Sequence, residues 1–246
     1  MACRLTSGLT CLSGWGVVSA VMEHSLSSLA NPAGSPALSQ PFPGGARERI
    51  MAAAYELFAQ RGIRDVGINE LILRAGVARA TFYQHFPSKD ELVLAFLERC
   101  HQNLTVEQII DQCRTSSGDP AAQLLTIFDV LDGWFRRDDF QACAFVSTML
   151  EMGPTHPLGE ASISYLAQVR AFMQTLAEEA GLDQPEAFAR SCHILTKGSI
   201  ISAVEGDREA AVLAKRMAVS LISAHAGIVV PNGSGRAMAG NTKTCS

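Results

Sequence analysis

Residues 75–89 read AGVARATFYQHFPSK, a stretch that threads an arginine, a threonine, a tyrosine, a glutamine, a histidine and a lysine through Val77, Phe82 and Phe86. Each of these polar types has a counterpart on a nucleic-acid duplex. Arg79 can bond guanine through two donors, Gln84 can engage adenine in the same bidentate way, and Ala80 or the Thr81 methyl can meet a thymine methyl. Tyr83, His85 and Lys89 can donate to phosphate oxygens, which fixes register without reading sequence. On composition alone a solvated helix face with a satisfied His85 explains the stretch equally well.

Such side chains need elements that aim them in one direction. Ile50, Ala53, Ala54, Leu57 and Phe58 keep the spacing of one buried helical face, which predicts a helix over 46–61 with Gly62 as its stop. Ile68, Leu71, Ile72 and Ala75 predict a short second helix with Gly67 at its N-cap, Glu70 at its third position and Gly76 at its close. A third helix is expected from about Ala78 to just before Pro87. A fourth opens with Ser88 as cap, and Asp90 and Glu91 suit its positive end. Two short helices joined by a tight turn at Gly76 and Val77 form a helix-turn-helix, whose second helix lies in the major groove. Val77, Phe82 and Phe86 then face inward, leaving Arg79, Ala80, Thr81, Tyr83, Gln84 and His85 outward or along the rim.

The residues AGVARATFYQHFPSKDELVLAF resemble the AGVS-x-GTLY-x-HF-x-SK-x-x-L signature of the tetracycline-repressor (TetR) family of transcriptional regulators, and YELFAQRG is similar to that family's first helix. The resemblance covers about residues 46–97. Further on, ACAFVSTMLE, followed by GPTHP and a long helix, is similar to the effector domains of some members. The resemblance implies a homodimer on a palindromic double-stranded DNA operator, usually a repressor released by a small-molecule effector. Carried over position by position, Arg79, Ala80, Thr81, Tyr83 and Gln84 resemble groove-facing residues and His85 and Lys89 phosphate contacts, with Asn69 adding a base or backbone contact. Two positions depart from the pattern. Gly67 and Ala78 stand where the family has Ser or Thr caps, and replacing a cap hydroxyl by Ala generally costs ~0.5–2 kcal/mol, by Gly much less.

The chain is 48% hydrophobic and 18% charged, which excludes disorder along its whole length. Its net charge of −4 conceals an asymmetry: seven Lys/Arg against four Asp/Glu over 47–89 give +3, leaving −7 elsewhere. The seven cysteines show no C-x-x-C pair and no His at ligand spacing, so reduced thiols in a cytoplasmic protein are expected, with Cys143 and Cys192 in the core and no metal or cofactor. No apolar run is long enough to span a bilayer. The first 22 residues are loosely like a signal peptide, but Gly, Ser and Thr dilute them; a disordered or mis-started extension fits better, with Met22 as an equal start.

The expected organisation is all-α: 1–45 a disordered extension and Pro/Gly/Ser-rich linker, 46–97 the helix-turn-helix domain, 98–228 a helical effector-binding and dimerisation domain, and 229–246 a disordered tail. Asp119 with Pro120 starts a helix running to about Arg137. Others are expected over 139–152, Leu158 to Ala180, Asp183 to Glu205, and Asp207 to Ala226. Apolar faces there make Phe128, Trp134, Phe145, Met149, Phe172, Met173 and His193 the candidate lining of a ligand pocket. Gly198, Ser199, Ser202 and Ala203, with Ala210, Ala211, Ala214 and Ala218, are small enough for close helix approach at a dimer surface, rimmed by Arg208, Lys215 and Arg216.

Two other functions compete with a regulator. A helical adaptor would turn 75–89 toward a protein, and its binding would respond weakly to salt, unlike phosphate neutralisation. An enzyme would need a constellation assembled only in three dimensions, since no G-x-G-x-x-G, P-loop, G-x-S-x-G or H-E-x-x-H occurs.

Overall fold

A computed structural model describes residues 44–226, so all but the last two residues of the expected extension, and the tail from 229, lie outside it. Among the described residues the regular elements are all helices. They divide into two compact units, one of 44–61 with 65–92 and one of 62–64 with 93–226.

The first unit contains α1 (Ala46–Arg61), α2 (Ile68–Ala75), α3 (Arg79–His85) and the start of α4 (Lys89–Cys100). Ile50, Ala53, Ala54, Leu57 and Phe58 of α1 are buried, as their spacing dictates, and α1 packs on both α2 and α3. Gly76 ends α2 in the left-handed conformation (φ 60°, ψ 43°), where a Cβ is costly, and Val77 N–H returns to the Ile72 carbonyl at 3.3 Å. Ser88 Oγ accepts from Glu91 N–H at 3.1 Å and so caps α4. Gly67 and Ala78 supply extended backbone but no side-chain bond to their helices.

The second unit carries the rest of α4, a continuous π-helical segment α5 (His101–Ile110), α6 (Asp111–Ser116), α7 (Pro120–Phe135), α8 (Ala144–Met152), α9 (Pro157–Glu179), α10 (Pro185–Val204) and α11 (Ala210–His225). Helix α7 begins as its sequence demands, with Asp119 Oδ1 accepting from Ala121 N–H at 3.1 Å and Pro120 at the first position. His156 caps α9 by accepting from Leu158 N–H through Nδ1 at 3.2 Å. Helices α9 and α10 form an antiparallel pair, and α11 packs against α10 and α7. Residues Gly62–Arg64 join this unit because Ile63 and Arg64 N–H donate to the Glu151 carboxylate at 2.9 and 2.5 Å. Gly62 has φ +80°, and a Cβ there would stand 3.0 Å from Glu151 Oε2.

Three expectations are corrected and one element is new. Residues 139–143 are not helical: Asp139 holds the Arg137 guanidinium through two bonds of 2.7 Å, and Phe140 inserts its ring 5.1 Å from Trp134 and 5.2 Å from Phe135. Helix α11 begins at Ala210, because Asp207 spends its carboxylate on Glu209 N–H. The π-helical run at 101–110 was not anticipated. Finally, Ala210, Ala211, Ala214, Ala218 and Ser199 are buried within the one chain, so they are core rather than dimer surface, and Lys215 is bound to Asp129 of α7. Cys143 and Cys192 do lie in the core, where burial pushes the Cys192 thiol up to about 12.

Candidate nucleic-acid interface

The turn at Gly76 sets α3 so that its apolar and polar residues part company. Phe82 is fully buried and Phe86 nearly so, their rings 6.3 Å apart, and the Arg47 guanidinium covers the Phe86 ring at 5.3 Å. Phe82 N–H bonds the Ala78 carbonyl at 3.0 Å and Phe86 N–H the Phe82 carbonyl at 2.9 Å, which closes the helix at both ends. Arg79, Ala80, Tyr83, Gln84 and His85 are exposed, while Thr81 and Lys89 are half-buried and Val77 lies between core and surface.

Three of the expected contact residues meet across two helices. Arg79 donates to Asn69 Oδ1 at 3.4 Å, and its guanidinium sits 5.7 Å from the Tyr83 ring centroid. A bond of that length is weak, so the guanidinium is aimed without being consumed. Ala80, Gln84 and His85 stand free of it on the same helix. Nearby, α1 and α2 are tied by ion pairs of 2.5 Å from Arg61 to Glu70 and from Arg74 to Glu56. Those arginines, counted in the sequence only as positive charge, serve the scaffold. Arg49 of α1 is a half-buried residue whose buried Nε has no hydrogen-bond partner among the described residues.

The candidate ligand residues are less convergent. Phe128, Phe145, Phe172, Met173 and His193 are buried, and Trp134 and Met149 are half-buried. Their ring contacts go to different places: Trp134 to Phe135 and Phe140, Phe145 to Tyr165, and Phe172 to the Arg114 guanidinium at 5.4 Å. His193 is depressed to about 4, chiefly by burial and further by Lys197 and Arg170.

A family model described as bacterial regulatory proteins, tetR family, matches residues 50–96. Over 145 residues the chain is 30% identical to an uncharacterized HTH-type transcriptional regulator of Mycobacterium tuberculosis, a span of 59% of this chain and 68% of that one. The chain belongs to the TetR family. The HTH-type transcriptional activator FasR of Mycolicibacterium smegmatis is 47% identical over 58 residues, but this is 24% of the present chain and only 26% of FasR. A solved TetR-family transcriptional regulator from Streptomyces coelicolor superposes with a TM-score of 0.69 at 26% identity, covering 73% of this chain and 95% of that one. The reduced form of Escherichia coli NemR shares the fold, with a TM-score of 0.64 at 21% identity over 72% of this chain and 96% of NemR. This TetR-family chain is accordingly a DNA-binding transcriptional regulator, and its relatives are regulators rather than enzymes. No described helix is long and apolar enough to cross a membrane.

Proposed function

We propose that the protein is a dimeric cytoplasmic repressor that places one α3 helix in each of two successive major grooves of a palindromic operator and is released by a small, largely apolar ligand. The observation that carries this reading is the division of α3, with Phe82 and Phe86 inward and Arg79, Tyr83, Gln84 and His85 outward. In it, Arg79, Ala80, Thr81, Tyr83 and Gln84 read bases, Asn69 steadies Arg79, and His85 and Lys89 hold phosphates. Dimerisation is supported by an apolar groove of about 490 Å³ between α10 and α11, lined by Ile194, Leu195, Met217, Leu221 and Ala224. Ile194 is 66% exposed and Met217 54%, more apolar surface than one protomer has reason to show. A two-fold axis through such a groove buries the same patch on both copies.

The test is fluorescence anisotropy of the full chain on DNA from its own upstream region and on a shuffled control, over a salt series. A regulator binds the native DNA more tightly, and affinity falls steeply with salt as counterions are released. Equal, salt-insensitive affinity for both DNAs would sink the reading in favour of a protein-binding adaptor. Sedimentation checks the dimer, and a reporter driven by the native promoter separates repression, in which deletion raises output, from activation.

A further inference from the structure

Arg79 is the first residue of α3, and it is the N-terminal residues of a recognition helix that reach base edges. Its surroundings differ from those of three other arginines in the first unit. Arg61 and Arg74 are each closed onto a carboxylate of a neighbouring helix, and Arg47 lies over Phe86 with Glu48 at 3.9 Å. Arg79 has two uncharged neighbours instead. Asn69 Oδ1 stands 3.4 Å from one terminal nitrogen, and the Tyr83 ring centroid lies 5.7 Å from the guanidinium carbon.

Tyr83 follows Arg79 by four residues, so the two side chains share one face of α3. The Tyr83 ring is itself fixed from the core side: it meets Phe82 edge to face, with centroids 5.5 Å apart and planes at 82°, and Phe82 is fully buried. Support therefore runs from the core through Phe82 and Tyr83 to an exposed guanidinium. The Tyr83 hydroxyl makes no hydrogen bond among the described residues, so what Tyr83 offers Arg79 is its ring. A ring within about 6 Å attracts a guanidinium through its face and leaves the N–H donors at the rim of the cation free. The single bond to Asn69 is weak, and no carboxylate cancels the charge.

We propose that Tyr83 is a positioning residue whose ring holds the Arg79 guanidinium ready for a guanine, so that each operator half-site carries a guanine facing the first turn of α3. The inference deepens, and rests on, the groove reading above, with Tyr83 acting there through Arg79. Guanine is selected because it shows two acceptors, O6 and N7, to a fork of donors, whereas adenine shows one acceptor beside a donor that opposes Arg79 N–H. An arginine free to rotate loses entropy in matching that fork, and one already held against a ring loses less.

The experiment uses the full chain and a pool of double-stranded DNA with a randomised central segment, from which bound molecules are recovered and sequenced. The wild-type chain should enrich a symmetric sequence with a guanine in each half that Arg79→Ala no longer selects. On that sequence, read by anisotropy, exchanging the guanine for adenine should weaken wild-type binding by roughly tenfold or more. Tyr83→Leu keeps an apolar side chain against Phe82 but removes the ring, and should shrink this preference by about two- to fivefold. Tyr83→Phe keeps the ring and should retain the preference. Replacing N7 of the guanine by C–H deletes one acceptor and should weaken wild type and Tyr83→Phe more than Tyr83→Leu.

A preference as large in Tyr83→Leu as in wild type would overturn the positioning role. So would a Tyr83→Leu loss that is equal on every sequence, which marks a phosphate contact, or a preference lost in Tyr83→Phe, which moves the effect to the hydroxyl. In these three cases a guanine preference that vanishes in Arg79→Ala leaves the groove reading standing while the role of Tyr83 falls. An enriched sequence that Arg79→Ala selects equally well overturns the guanine assignment, and a pool with no enriched sequence overturns the groove reading as well.

Discussion

In the first unit, Gln84, His85 and Lys89 have no ion pair or side-chain hydrogen bond among the described residues, whereas in the second Arg114, Arg136 and Lys215 each close onto a carboxylate of another helix or its flank. Exposed pairs of this kind contribute little stability one by one. Their lesson is about leftover capacity. Arg114, Arg136 and Lys215 are spent on carboxylates of their own unit, and the outward face that runs from α3 to Lys89 has kept its donors for a partner. Burial runs the other way: the outward side of α3 hides nothing titratable, while the second unit buries His101 and His193.

The comparison breaks most visibly if α3 loses its inward anchor. Phe82→Ala deletes a fully buried ring and should cost about 3–5 kcal/mol in urea unfolding, abolishing operator binding with it. A loss below about 1 kcal/mol would mean that α3 is held by something else. Next comes pH. The unfolded chain protonates His193 from about pH 6.5 downward, the folded chain only near about 4. Its contribution is therefore full above that window and is lost as pH falls through it, an effect of order 1–3 kcal/mol at most. His193→Leu should flatten the fall between those pH values, and an unchanged slope would place the acid sensitivity elsewhere.

Two smaller effects sharpen the other side. Arg79→Ala should weaken the operator complex by about 1–3 kcal/mol and relax preference at a few base pairs. If both affinity and preference survive, α3 does not read the groove through this residue. Lys89→Ala should weaken native and shuffled DNA alike and lower the salt slope by about 1. A sequence-selective loss there would move Lys89 from phosphate to base.

Much of the first unit was legible because its signals are local: Gly76 ends a helix, Ser88 starts one, and Phe82 and Phe86 sit four apart on one face. The second unit was legible where caps are strong, as at Asp119 and Pro120, and illegible where distant residues decide. Phe140 abandons a helical pattern because Trp134 and Phe135 receive its ring. The π-helical run keeps buried residues four apart at 101, 105 and 109, a spacing that an α-helix accepts as readily. His101 and Glu98 gain their setting from Tyr165, more than sixty residues away, which no spacing rule announces. Alanines 210, 211, 214 and 218 look the same in sequence whether they face their own chain or another.

Glu151 and the amides of Ile63 and Arg64 carry a consequence for inheritance. Gly62 is confined by its φ of +80° and by the Glu151 carboxylate, whose Oε2 stands only 3.0 Å from where a Cβ would go. Substitutions at 62 and 151 are therefore epistatic: Gly62→Ala should harm the protein more when Glu151 is present than when it has already been shortened to Ala. A double-mutant cycle that returned simple additivity would show two independent positions; a coupling of roughly 0.5–3 kcal/mol would show two codons that can drift only as a pair.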